Sequence, residues 1–169
     1  VRGVFSGSLS YIFNNFSSRD ADFYSILMEA KSNGYTEPDP REDLNGLDVA
    51  RKLIILAREV GVKVELKDIE IENLIPEELR NIESAEKFLS KEKELNTYYS
   101  NVKENTSDNE VLRYVGELDT VKKVLQVSLQ KFPKSSPMGG IKNADAIFEI
   151  FTDGLVVEIF EDIISISLK

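Results

Sequence analysis

Gly34-Tyr35-Thr36-Glu37-Pro38-Asp39-Pro40-Arg41-Glu42-Asp43-Leu44-Asn45-Gly46-Leu47-Asp48-Val49-Ala50-Arg51-Lys52 is the stretch from which the rest of the chain can be read. Its two prolines, two residues apart, remove backbone donors and push the residues before them toward extended geometry, so a stiff loop is expected over 35–41. Asn45 reads as a helix N-cap, with Asp48 at the third helical position and its carboxylate near the positive end of the helix dipole. That helix is predicted to run to about Glu59 and to end at Gly61. The loop then delivers Glu37, Asp39 and Asp43 toward a helix that carries Asp48 and Lys52. Four residues make about one turn, so these two share a face, with Cβ atoms about 5–6 Å apart. On spacing alone they form an ordinary surface ion pair.

Upstream, Gly3-Val4-Phe5-Ser6-Gly7-Ser8-Leu9-Ser10-Tyr11-Ile12-Phe13 reads as a glycine-punctuated loop entering a helix, with Tyr11, Phe13 and Phe16 as packing residues. The Gly3 and Gly7 pair lacks a following Lys-Ser or Lys-Thr and does not make a phosphate loop. A second helix is predicted from about Phe23 to Ser32, with Gly34 as the left-handed residue that stops it. Downstream, Val62 to Ile71 alternates apolar and charged residues and predicts a strand or edge segment. Glu77 to Lys103 predicts one or two polar helices with Ala85, Phe88, Leu89, Leu95 and Tyr98 as the inward stripe. Lys91 to Glu94 is a solvated face. Beyond Asn109 the texture changes to alternating runs at Val111–Val115, Val124–Leu129 and Ala146–Phe151, which predict strands. Helices followed by strands make the expected class α+β, with helices packed on a mixed or antiparallel sheet.

The composition removes whole classes of chemistry. The 169 residues contain no cysteine and no histidine, which excludes disulfides, thiolate or imidazole metal sites and Ser-His-Asp machinery. No metal site is expected, and proton transfer falls to Lys, Asp, Glu or Tyr. A net charge of −9 argues against nucleic acid, whose binding draws on clustered Lys and Arg. No run approaches the roughly 20 apolar residues of a membrane span, so no membrane partner is expected. The cysteine-free sequence suits a reducing compartment, and the cytoplasm is the expected location.

The stretch from Gly34 to Lys52 resembles, nearly residue for residue, the signature of the homoserine dehydrogenase catalytic domain, in wording nearest the fungal-type enzymes. The segment from Gly3 to Phe13 resembles the region just upstream in that family. The resemblance implies reduction of aspartate 4-semialdehyde to L-homoserine with NADPH or NADH, a step shared by threonine and methionine biosynthesis. It implies Lys52 as the general acid and base, able to stabilise a developing alkoxide with its charge. Glu37 and Asp48 would hold the amino-acid end of homoserine, with Asp43 as a supporting acid and Tyr35 and Thr36 lining the pocket. Gly34 and Glu37 would lie against the nicotinamide half of the cofactor. A homodimer through the C-terminal strands, Val111 to Phe160, is implied as well.

Two departures from the family shape the expectation for the whole chain. No Gly-x-Gly-x-x-Gly fingerprint occurs, so most of the cofactor's binding surface is expected to be missing. The family's glycine-rich turn near the C-terminus is also wanting: only Gly154 falls within residues 141 to 169, and Leu155-Val156-Val157 runs almost directly into Ile163-Ile164-Ser165-Ile166. Together with the abrupt Val1-Arg2-Gly3 opening, this predicts one catalytic and dimerisation domain over 1–169, truncated on both sides and inactive by itself. The alternative from another class is an incompetent subunit that dimerises with full-length enzyme.

Overall fold

A computed structural model describes residues 1–122, 124–152 and 155–161. Gly154 and the Ile163 to Ile166 run, on which the expected loss of a C-terminal turn rests, lie outside the described residues.

The N-terminal residues fold into strand β1 (Arg2–Val4) and helix α1 (Gly7–Ser18). Ser6 caps α1, its Oγ accepting the Leu9 N–H at 3.3 Å. Helix α2 (Phe23–Ser32) starts at Asp22, which accepts from Ser25 N at 2.8 Å. It stops where expected: Gly34 takes φ +75°, and the N–H of Tyr35 turns back to the Ala30 carbonyl at 3.0 Å. Tyr11, Phe13 and Phe16 are buried on α1 as packing residues.

After the proline loop come α3 (Arg41–Leu44) and α4 (Leu47–Glu59), the latter ending before Gly61 at φ +81°. The N-cap expected at Asn45 lies one residue later, at Gly46, with φ +76°. Asn45 still serves the helix start, since its Oδ1 accepts the Leu47 N–H at 2.8 Å. A side chain at 46 has no room, because a Cβ there would stand 2.0 Å from the Tyr114 hydroxyl oxygen. Glycine is therefore required twice over, by backbone hand and by space.

The expected strand across Val62 to Ile71 shrinks to β2 (Glu70–Ile71), because Glu65 and Asp68 cap each other's backbone around a 3₁₀ turn at Leu66–Asp68. The polar helical region resolves into α5 (Ala85–Leu89) and α6 (Glu92–Glu104). On α6 the buried aromatic is Tyr99, one turn beyond buried Leu95, and the expected Tyr98 is exposed. Tyr99 stacks on Phe23 and donates to the Leu74 carbonyl at 2.7 Å.

The three predicted strands are β3 (Glu110–Asp119), β4 (Val124–Pro133) and β5 (Ala146–Thr152), and β6 (Leu155–Glu161) follows β5. Among the described residues they form one mixed six-stranded sheet in the order β2-β4-β3-β1-β5-β6. Its only parallel pair is β2 with β4. The segment first read as a loop thus supplies the seam of the sheet: Arg2 sits opposite Glu117 on one side and Glu149 on the other. Missing side-chain bulk at Gly3 is explained by Phe148, whose ring would lie 2.6 Å from a Cβ there.

Alternation along β3 sends Leu112, Tyr114 and Leu118 toward the helices, where the main core lies. Val111 and Val115 point to the opposite face, into a smaller cluster with Val4, Phe132, Met138, Ile141 and Ile147. Arg113 is buried in the same face at 2% exposure, beneath the short helix α7 (Pro137–Gly140). It donates to the carbonyls of Leu112, Met138, Gly139 and Ile141, and burial pulls its guanidinium down to about 10.

Candidate active site

Three elements meet at the N-terminal end of α4. The β1–α1 corner contributes Phe5, Ser6 and Ser8. The loop after α2 contributes Gly34 to Glu37, and α3 contributes Asp43. Lys52, in the second turn of α4, donates to the Phe5 carbonyl and forms an ion pair with Asp48 Oδ2, each at 2.9 Å. An ammonium carries three donors, so donor capacity beyond the Phe5 bond remains for a further acceptor. The two side chains are 44% and 57% exposed, so Lys52 is at the surface of the site and not sealed in its core. An exposed pair at this spacing adds no more than about 0.5 kcal/mol. The bond to Phe5 distinguishes it from such a pair, because it ties the ammonium to the corner between β1 and α1.

Asp43 works as a clip. Its Oδ1 accepts the Ser8 hydroxyl at 2.7 Å, and its Oδ2 accepts the Glu37 backbone N–H at 2.9 Å. Burial holds its carboxyl above the usual aspartate range against both bonds, with further upward pressure from Glu37 and Asp48. Glu37 and Asp48 are both exposed, whereas Asp43 already has each oxygen engaged. An incoming cation finds open acceptors on the first two.

The proline loop is held at several points. Tyr35 is 42% exposed and stacks on Tyr11, ring centroids 4.3 Å apart, while Tyr11 donates to Glu29 at 2.6 Å. Thr36 turns its hydroxyl to the Glu37 carbonyl, and Lys31 donates to the Pro38 carbonyl. Asp39 is bound to Arg41 at 2.6 Å instead of to any of these groups, and that guanidinium holds its carboxyl below the usual range. Gly34 is exposed, and a Cβ there would meet nothing within 4 Å. No group of three potential metal ligands occurs among the described residues.

The β1–α1 corner thus links two pairs, Asp43 with Glu37 through Ser8 and Lys52 with Asp48 through the Phe5 carbonyl, and Gly34, Tyr35 and Thr36 precede Glu37 on the same loop. The sequence reading did not single out Ser8 or the Phe5 carbonyl. The segment holding them was legible only as a helix entrance, and the partners lie 35 and 47 residues away along the chain.

Comparison with known proteins identifies the family of the chain. The sequence pattern of the homoserine dehydrogenase family matches residues 1–162. The chain is 47% identical over 154 residues to a chloroplastic bifunctional aspartokinase/homoserine dehydrogenase of Daucus carota, covering 90% of this chain and 17% of that one. It is 42% identical over 157 residues to homoserine dehydrogenase of Saccharomyces cerevisiae, covering 90% of this chain and 44% of that one. A crystal structure of a Candida auris protein of unknown function superposes with a TM-score of 0.84 at 36% identity, covering 93% of this chain and 46% of the other. The chain therefore spans less than half the length of these relatives. With the family pattern running through nearly all of it, the chain belongs to the homoserine dehydrogenase family.

Proposed function

We propose that this chain carries the substrate-holding and proton-transfer half of a homoserine dehydrogenase, which reduces aspartate 4-semialdehyde to L-homoserine on the way to threonine and methionine. The observation that carries the reading is Lys52, held at 2.9 Å by both the Asp48 carboxylate and the Phe5 carbonyl with donor capacity to spare. Glu37 and Asp48 hold the substrate ammonium through their open oxygens. Asp43 keeps the Glu37 loop in place, and Tyr35 and Thr36 line the pocket. Lys52 donates a proton from Nζ to the aldehyde oxygen as its carbon is reduced, which leaves a hydroxyl group, and it takes that proton back in the reverse direction. Before transfer its positive charge offsets the charge growing on that oxygen.

The residues present fit one edge of a nicotinamide cofactor, because Gly34 offers a bare, exposed backbone where a flat ring can lie, with Glu37 beside it. NADPH or NADH bound there supplies the hydride. A second copy of the chain is the proposed partner, through the sheet face opposite the helices. On that face Phe151 and Val156 are each 51% exposed, and Arg2 lies 5.5 Å from the Phe151 ring. The cytoplasm, a reducing compartment, is the proposed location of this cysteine-free protein.

The test joins the chain to a nucleotide-binding domain of the family and replaces Lys52 by Ala. Loss of a general acid lowers kcat by about 10²–10⁴-fold, while homoserine affinity is largely kept. An unchanged kcat removes Lys52 from the role.

A further inference from the structure

The β1–α1 corner reaches both halves of the site. The Phe5 carbonyl takes one N–H of Lys52, and three residues on the Ser8 hydroxyl takes Asp43. Ser6 and Ser8 are each 8% exposed, with hydroxyl oxygens 2.9 Å apart. A hydroxyl has one proton to give. When Asp43 is ionised, the Ser8 proton belongs to the carboxylate, so Ser6 must donate to Ser8. Ser6 in turn accepts the Leu9 N–H at 3.3 Å. The hydroxyls then point one way, from the start of α1 to Asp43.

Ser8 has no other duty to explain it. Ser6, not Ser8, caps the helix, and the Ser8 hydroxyl reaches across to α3. Of the charged groups near Asp43, Glu37 on the loop and Asp48 on α4 repel its ionised form, and Lys52 is engaged with Asp48. The stabilising bonds come from the Ser8 hydroxyl and the Glu37 N–H. Removing the first leaves a half-buried carboxylate on a single donor, and it is the same carboxylate that sets where Glu37 stands.

We infer that Ser8 is a positioning residue for homoserine: its hydroxyl, oriented by Ser6, fixes Asp43, and Asp43 fixes the loop that presents Glu37 to the substrate ammonium. This rests on the substrate reading given above. The test uses the whole chain as wild type, Ser8→Ala and Ser8→Thr. The Asp43 carboxyl carbon is titrated by NMR, and L-homoserine binding is measured by calorimetry. Amide dispersion verifies that each variant is folded.

In Ser8→Ala the Asp43 midpoint moves further up and homoserine affinity falls about tenfold, the scale of one hydrogen bond to a charged group. Ser8→Thr, which keeps the hydroxyl, restores both. An unmoved Asp43 midpoint in Ser8→Ala, or a threonine variant that behaves like alanine, overturns the inference. If the wild-type chain binds no homoserine, the substrate reading fails, while the Asp43 titration still decides the role of Ser8.

Discussion

Gly46 and Gly34 have almost the same backbone, at φ +76° and +75°, but opposite surroundings, and this makes them a controlled pair. Replacing either by Ala places a side chain in the left-handed region, at a cost of about 1–2 kcal/mol. About 0.4–1 kcal/mol of that is offset because the unfolded chain loses freedom. For Gly34→Ala little else changes, since nothing lies within 4 Å of the new methyl, and a net loss of about 1 kcal/mol is expected.

For Gly46→Ala the methyl would stand 2.0 Å from the Tyr114 hydroxyl oxygen and 3.0 Å from Ile71. Relieving that overlap costs about 1–3 kcal/mol of displaced packing. If Tyr114 swings away it also forfeits its 2.6 Å bond to the Glu72 carbonyl, worth about 1 kcal/mol. The expected total is about 3–5 kcal/mol, a large share of the stability of an ordinary domain. Urea unfolding of the two variants measures the difference. Tyr114→Phe in the Gly46→Ala background removes the nearest clashing atom and should recover about 1–2 kcal/mol, seen as non-additivity in the double-mutant cycle. Equal losses for the two glycines, or a strictly additive cycle, would refute the close approach of Tyr114 as the reason for glycine at 46.

Two further outcomes follow from the buried and paired charges. Arg113→Met keeps most of the side-chain volume but strips the carbonyls of Met138, Gly139 and Ile141 of their donor; a loss of about 2–4 kcal/mol is expected in urea unfolding, and a neutral effect would mean that water or backbone movement satisfies them. The Asp39–Arg41 pair sets a pH dependence: with the Asp39 carboxyl held below its unfolded value of about 3.9, its contribution is full above that pH and fades as pH falls through the depressed value. Asp39→Asn should therefore flatten the acid limb of the stability curve relative to wild type, and identical acid limbs would discount the pair.

Legibility from the sequence followed the range of the interactions involved. The end of α2 at Gly34, the body of α4 and the alternation in β3, β4 and β5 are local patterns, and each was readable. The N-cap of α4 was displaced by one residue because Asn45 acts through its side chain while the left-handed turn needs the glycine beside it. Strand β1 looks like a loop in sequence, since three residues with a glycine carry no usable alternation. Its partners, around Glu117 and Glu149, lie more than a hundred residues away. The reading of Tyr98 for Tyr99 came from a helical phase that only Phe23, stacked on Tyr99, could fix. In the site, the acidic and basic groups stood close together in the sequence, whereas the hydroxyl and carbonyl that hold them belonged to the opening segment and carried no charge to announce them.

The place of β1 bears on the order in which the protein assembles. Its three residues close the gap between two hairpins, β3 with β4 and β5 with β6, and both closures span most of the chain. Contacts of such long separation are slow to form, because chain ends must be brought together before any bond repays them. The carbonyl that receives Lys52 belongs to Phe5, the next residue but one after Gly3 in that seam. A polypeptide still threading through its final zipper would have its helices formed but its amine unanchored, so readiness for chemistry arrives with the last stitch of topology.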